Sequence, residues 1–140
     1  MAASKLSITD ANAFLIANFK GADGQIAITQ MEDGCAIMRM SVTDDHLRPG
    51  GYISGPTQMA IADSTAYMAV MSRIGLVPMA VTSNLNINFL RPCIGDALIG
   101  EAKIMKLGKT LAVMDVDIRA ENAPEASSHA IVTYALPREI

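Results

Sequence analysis

A chain of 140 residues fits one domain with a real hydrophobic core and is too short for two such domains. Hydrophobic residues make up 51% of it, but Trp is absent and aromatics are few, so aliphatic residues, Ala and Met must form the core. The formal net charge of −3, without a block of basic residues, argues against nucleic acid as the main partner, although a local basic rim could still hold phosphates.

Targeting and metal-binding signals are also missing from the sequence. Residues 1–5 lack the apolar run of a signal peptide, and the longest apolar stretch is interrupted by Asp63 and closed by Arg73, which makes it a poor membrane span. Cys35 and Cys93 fit no pairing motif, and no Cys/His cluster has metal-ligand spacing. We therefore expect a cytoplasmic, metal-free protein with no membrane partner.

The first predicted element is a short helix over residues 10–19, which Thr9 or Asp10 can cap. Gly21 and Gly24 end it, so residues 1–24 form an N-terminal helix and turn within a single domain of residues 1–140.

A hairpin and a loop follow. Residues 25–31 and 35–42 alternate between apolar and polar side chains, which predicts two strands, and Asp33-Gly34 between them is typical of a tight turn. Residues 43–53 form a loop whose glycines would let the backbone approach a ligand closely.

The central stretch, residues 56–71, predicts a helix that starts at Pro56, with Ser54 or Gly55 at or just before its cap. It is rich in Ala and Met and apolar on nearly every side, so we expect protein to cover its whole circumference. Asp63 lies in its middle, with no Lys or Arg three or four residues away. A carboxylate at such a position needs a hydrogen-bond partner, water or a functional role. A hydrated gap or a hydrogen bond to a backbone amide would explain the presence of Asp63 as well as catalysis does.

The next predicted strand, residues 80–90, has an unusual polar face. Strict alternation would place Thr82, Asn84, Asn86 and Asn88 on one side and the apolar residues on the other. Because Asn has low β-propensity, this face suggests hydrogen-bonding work or an edge that pairs with another chain, with an ordinary solvent-exposed face as the alternative.

Three more strands complete the chain, at residues 97–107, 110–119 and 128–136, with the turn Gly108-Lys109 joining the first two. The fold class that follows is α+β, with an antiparallel sheet of five or six strands wrapped on one long helix.

Three stretches together resemble a known family. Residues 51–56 (GYISGP) followed by Asp63, residues 81–92 (VTSNLNINFLRP) and residues 107–116 (LGKTLAVMDV) are similar to hotdog-fold acyl-CoA thioesterases of the phenylacetate-pathway, PaaI-like type. The resemblance extends from about residue 35 to residue 136. It implies a sheet curled around a central helix, chains paired edge to edge, active sites at the dimer interface, and dimers that often pair into tetramers.

The resemblance also assigns roles to residues. It implies that Asp63 acts as general base or nucleophile, that the Gly55 amide holds the carbonyl oxygen, and that Thr82 helps to position water. Coenzyme A is part of the substrate and no separate cofactor is implied. Substrate contacts are expected from Arg48, Gln58, Asn84, Asn86, Gly108, Lys109 and Thr110.

Two positions depart from the family. Ser54 stands where the family has His, and Arg48 stands where it has Asn or Gln. The Ser54 hydroxyl could replace the lost contact, and Arg48 could polarise the carbonyl or bind a carboxylate or phosphate. These changes keep two alternatives open, a non-catalytic acyl-CoA binding or sensing module and a hydroxyacyl-thioester dehydratase.

Elementary chemistry agrees with the resemblance and weakens one competitor. The start of the central helix offers free amides and a positive dipole end to an oxyanion, and Asp63 lies about 10 Å further along the axis, so an Asp63 from a partner chain is the better match. A Ser-His-Asp set formed by Ser54 and Asp63 with His46 or His129 is a weaker hypothesis, because no Gly-x-Ser-x-Gly elbow surrounds any serine.

Overall fold

The computed structural model describes residues 3–138, in which two α-helices, a one-turn 3-10 helix and six strands are formed. The expectations for residues 1–5 and for a domain of 1–140 therefore reach beyond the described part. The elements are α1 (Ile8–Asn18), the 3-10 turn (Asp44–His46), α2 (Gly55–Ile74), β1 (Ile26–Glu32), β2 (Cys35–Ser41), β3 (Val81–Phe89), β4 (Ala97–Leu107), β5 (Leu111–Ala120) and β6 (Ser128–Ala135).

All strands pair antiparallel in one sheet, in the order β1-β2-β4-β5-β6-β3. The sheet curls around α2, which contacts each of the six strands. The predicted α+β class, a six-stranded antiparallel sheet wrapped on a long helix, is confirmed. Strands β1 and β3 are its two edges.

Methionine and alanine form much of the core, as the composition indicated. Met38, Met68, Met71 and Met114 are fully buried between α2 and the sheet. The helix lies very close to β4 at Gly100, where an added Cβ would lie 2.6 Å from Oγ1 of Thr65. A glycine at this place lets the helix backbone lie close to the sheet.

The helix α1 starts earlier than predicted. Ser7 is its N-cap, and its hydroxyl accepts a hydrogen bond from the backbone N–H of Asp10 at 3.1 Å. The predicted caps at Thr9 and Asp10 are wrong, because both residues already lie in the first turn, where an acidic side chain also favours the helix N-terminus. The start of α2 is confirmed, with Ser54 as N-cap.

The expectation that α2 is covered on all sides is wrong for the single chain. Pro56, Met59 and Ala60 are exposed, and Asp63 is half-buried. These positions are spaced by three or four residues, so they form one strip along the helix. We call Pro56, Met59, Ala60 and Asp63 the open strip.

A β-bulge in β3 changes which side chains share a face. Thr82 pairs with Tyr134, but Asn84 already pairs with Thr133, so one extra residue lies between them. The prediction that Thr82 shares a face with Asn84, Asn86 and Asn88 is therefore wrong. Thr82 points to the helix side of the sheet, and the three asparagines lie on the outer face.

No helix within residues 3–138 combines the length and apolar character that a membrane crossing requires.

Candidate active site

Two polar groups flank α2, and the first surrounds Asp63. The hydroxyl of Thr82 donates to Oδ1 of Asp63 at 2.6 Å, and the hydroxyl of Tyr134 donates to the same oxygen at 2.7 Å. Tyr134 also lies 3.1 Å from the backbone carbonyl oxygen of Asp63. Within residues 3–138, Oδ2 has no hydrogen-bond partner and the carboxylate forms no ion pair. We call Asp63, Thr82 and Tyr134 the carboxylate cluster.

The tyrosine of this cluster is a donor by its surroundings. Burial is the main cause that raises the pKa of Tyr134 above its usual value, and the Asp63 carboxylate raises it further, against an opposing contribution from the Thr82 hydroxyl. A raised pKa favours the protonated phenol, which is the form that donates a hydrogen bond to Asp63. Its ring stacks on that of Tyr67, with centroids 5.4 Å apart.

The second group lies at the start of α2. Oγ of Ser54 accepts the backbone N–H of Thr57 at 3.3 Å and shares a hydrogen bond with Oγ1 of Thr57 at 2.8 Å. The hydroxyl expected to replace the family histidine is thus used in the helix cap. The N–H of Gly55, the first helical residue, donates to no group within the described residues. The ring of Phe89 covers this glycine so closely that an added Cβ would lie 3.2 Å from its Cζ.

A cavity of about 480 Å³ opens beside Gly55, and we call it the helix-start cavity. Arg48 lines it and forms no ion pair within residues 3–138, whereas the neighbouring Arg91 is paired with Glu125 at 3.2 Å. Gln58 forms part of the wall. The cavity therefore combines a free amide with a guanidinium that has no carboxylate partner, and it is suited to an electron-rich ligand.

The two groups do not meet in a single chain. The carboxylate cluster lies beside Thr82 at the start of β3, and Gly55 lies beside Phe89 at its end. Asp63 does not line the helix-start cavity. Eight residues of helix separate Gly55 from Asp63, which corresponds to roughly 12 Å along the helix axis. The carboxylate cluster and the helix-start cavity therefore lie at opposite ends of the edge strand β3, and we refer to these two regions as the half-sites of one chain.

The remaining predicted substrate contacts lie in two places, the turn between β4 and β5 and the outer face of β3. The carbonyl of Thr110, which follows Gly108 and Lys109 in the turn between β4 and β5, accepts the N–H of Leu136 at 2.9 Å, two residues beyond Tyr134. This turn therefore lies at the Asp63 end. Asn84 and Asn86 are exposed on the outer face, so contact with a ligand there requires that the ligand or a second chain covers that face.

The alternative serine triad is not assembled. Nδ1 of His46 accepts the backbone N–H of Thr43 at 2.9 Å, and Asp63 is bonded to Thr82 and Tyr134. His129 lies on the outer face, with Nε2 3.6 Å from Oδ1 of Asp115. Within the described residues, both histidines and Asp63 therefore contact groups other than the ones that a triad requires.

Sequence reasoning missed Tyr134 as a functional candidate. The alternation in residues 128–136 predicts only that Tyr134 lies on the apolar face of its strand, together with Ala130 and Val132. The available signal was its phenol, because a hydroxyl on a core-facing position needs a hydrogen-bond partner and Asp63 was the unsatisfied group of the same core.

Comparison with known proteins gives a consistent result. Residues 50–127 match the family model described as the Thioesterase superfamily. Human acyl-coenzyme A thioesterase 13 is 28% identical over 102 residues, which are 72% of each chain, and acyl-coenzyme A thioesterase PaaI of Escherichia coli is 35% identical over 94 residues, 66% of this chain and 65% of PaaI. The crystal structure of a candidate thioesterase from Silicibacter sp. TM1040 superimposes with a TM-score of 0.87 at 34% identity and covers 96% of this chain and 94% of its own.

Proposed function

The chain belongs to the thioesterase superfamily, and from this membership we propose that it hydrolyses acyl-CoA thioesters at a site formed by two copies of the chain. Thioester hydrolysis is the activity that its relatives' names carry. Asp63 of one chain would be the catalytic carboxylate, and Gly55 of the other would hold the carbonyl oxygen. The observation that carries this proposal is the split of the two half-sites along α2.

Antiparallel pairing of two β3 strands would join the half-sites. β3 is an edge strand, and Val81 and Phe89 at its ends are 57% and 51% exposed. When two such strands run in opposite directions, the start of one lies next to the end of the other. The carboxylate cluster of one chain would then face the helix-start cavity of the second. The open strip of α2 supports this pairing, because the second chain would cover the apolar side chains that the single chain leaves exposed.

The chemistry follows from these positions. A water molecule attacks the thioester carbonyl carbon, and Oδ2 of Asp63, which has no hydrogen-bond partner within residues 3–138, takes its proton. The carbonyl oxygen becomes an oxyanion, which the Gly55 N–H and the positive end of α2 stabilise. When the tetrahedral intermediate collapses, the C–S bond breaks and the thiolate of coenzyme A leaves, taking up the proton held by Asp63. The products are a free acid and a thiol.

We propose that the Arg48 guanidinium lies near the thioester carbonyl. Its guanidinium lines the same cavity as Gly55 and has no ion-pair partner within residues 3–138. A positive charge there adds to the stabilisation of an oxyanion or binds an anionic group of the ligand. The turn that contains Gly108, Lys109 and Thr110 lies beside the carboxylate cluster, so we assign the coenzyme A arm to that end.

Release of free thiol tests the activity directly. We expect wild-type protein to release coenzyme A from at least one of a panel of short, medium, long and aryl acyl-CoAs, and Asp63→Asn to abolish release while ligand binding persists. Asp117→Asn, a carboxylate on the outer face, is the matched control and should keep full activity. Tight binding without hydrolysis across the panel would favour the binding module, and dehydration of a hydroxyacyl-CoA would favour the dehydratase.

Mixing two inactive variants tests the shared site. Asp63→Asn removes the carboxylate, and Gly55→Val pushes a side chain against Phe89 in the other half-site. If each site uses both chains, random re-association should restore about a quarter of the wild-type activity, because half of the dimers are mixed and each has one intact site. No recovery on mixing would place the whole site in one chain.

A further inference from the structure

Tyr134 is an unexpected residue on the core face of β6. It is 4% exposed and follows Ala130 and Val132 on that face, where a phenylalanine would fill the same space. Its hydroxyl has two acceptors, Oδ1 and the backbone oxygen of Asp63, at 2.7 and 3.1 Å. Because a buried hydroxyl is costly without a partner, the phenol and the carboxylate constrain each other.

We propose that Tyr134 is a positioning residue for the hydrolytic reaction, which together with Thr82 occupies Oδ1 of Asp63 and so makes Oδ2 the oxygen that accepts the proton from water. This inference rests on the proposed role of Asp63 as base. In this inference, Tyr134 helps to determine the orientation of the carboxylate plane. The helix backbone alone does not determine that orientation, because the side chain of aspartate rotates about two bonds.

The tyrosine is itself held in place. Its ring lies parallel to that of Tyr67, with an interplanar angle of 6°, and the hydroxyl of Tyr67 donates to the backbone oxygen of Pro78 at 3.0 Å. The ring of Phe14 packs edge-on against Tyr67, with centroids 6.0 Å apart. Tyr134 therefore approaches Asp63 from a rigid aromatic stack.

The electrostatic surroundings of Asp63 are simple. Thr82 on β3 and Tyr134 on β6 face it, Tyr67 of α2 lies behind Tyr134, and within residues 3–138 no Lys, Arg or His forms an ion pair with it. The two hydroxyls hold Oδ1 from two different strands. Removal of one donor should therefore let the carboxylate rotate away from the orientation that proton transfer needs.

Two tyrosine variants give a matched test, because each loses one hydroxyl and keeps its ring. For Tyr134→Phe we expect kcat to fall about 10- to 100-fold through a misplaced base, with KM nearly unchanged. Tyr67→Phe, which loses its hydrogen bonds to the carbonyls of Val77 and Pro78 but keeps the ring that stacks on Tyr134, should keep the wild-type kcat.

A second variant protects the test against misfolding. Thr82→Val removes the other hydroxyl at Oδ1 from an exposed strand position, and it should also lower kcat with KM nearly unchanged. Wild-type kcat in Tyr134→Phe, or an equal loss in Tyr67→Phe, would overturn the inference, as would an unchanged kcat in Thr82→Val. Asp63→Asn distinguishes failure of the proposed function from failure of the positioning role. If Asp63→Asn stays active, the proposed base is wrong. If Asp63→Asn is inactive while Tyr134→Phe has wild-type activity, only the positioning role of Tyr134 is wrong.

Discussion

Oγ of Ser128, the first residue of β6, donates a hydrogen bond to Oε1 of Gln58 in the first turn of α2 at 2.7 Å. Ser127 donates to the same oxygen at 3.0 Å, and Nε2 of Gln58 donates to the carbonyl of Ile53 at 3.3 Å. All three side chains are buried. The orientation of the Gln58 amide is therefore determined, and the helix start is tied to the far end of the chain.

Replacement of this glutamine by an apolar residue should lower stability. Gln58→Met keeps most of the volume but leaves the buried hydroxyl of Ser128 without its acceptor, and we expect a loss of about 1–3 kcal/mol in the free energy of unfolding, measured with urea. In Gln58→Met/Ser128→Ala both polar partners are gone, so the loss should be smaller than the sum of the two single changes. Strict additivity would show that the hydrogen bond contributes little.

A charge on the open strip should separate the proposed pair of chains. Met59 is 40% exposed in the single chain and lies next to Asp63 on that strip. We expect Met59→Lys to lower the molar mass measured by light scattering and to reduce activity with it, since removing a charged side chain from water at the interface is unfavourable. Met105→Lys, at a position 60% exposed on β4, is the control. A Met59→Lys protein that stays associated and active would contradict the proposed interface.

The pair of Arg39 and Glu121 should make stability depend on acid pH. Nε of Arg39 lies 2.7 Å from Oε2 of Glu121, and this hydrogen bond holds the pKa of Glu121 below its usual value. A carboxyl with a lowered pKa in the folded state stabilises the fold above its unfolded-state pKa and loses that contribution as the pH falls through its folded-state pKa.

We therefore expect Glu121→Gln to be less stable than wild type at neutral pH, and the difference between the two proteins to disappear on acidification. Thermal unfolding at a series of pH values measures this difference. A constant difference across the acid range would show that Glu121 contributes through packing instead of charge.

The close contact between α2 and β4 at Gly100 predicts that a larger residue there would overpack the core. In Gly100→Ala, the new Cβ would lie 2.6 Å from Oγ1 of Thr65 and 3.3 Å from Cγ1 of Ile61. We expect a loss of about 1–3 kcal/mol in the free energy of unfolding. Adding Thr65→Ala removes the clashing atom and should recover part of this loss. If it recovers none, the strain lies in the β4 backbone.

Most of the fold was predictable from the sequence because burial imposes a period. The alternation of Ala112, Met114, Val116 and Ile118 identified the inner face of β5, and Ser54-Gly55-Pro56 identified the start of α2. These signals are local, since each depends on residues within a few positions of one another. The cap of α1 at Ser7 was missed by two or three residues, because Ser, Thr and Asp all cap helices and occur there in succession.

The sequence itself determined the long helix, the inner faces of the regular strands such as β5, and the isolated position of the Asp63 carboxylate. Helix and strand periods translate directly into which side chains are buried. Only the tertiary structure decided what Asp63 contacts. The bulge between Thr82 and Asn84 reversed the face that simple alternation assigned, and the pairing of β3 with β6 brought Tyr134, 71 residues away in the chain, to the same carboxylate oxygen. A register shift of one residue depends on how two strands pair, and no local pattern of apolar and polar residues records it.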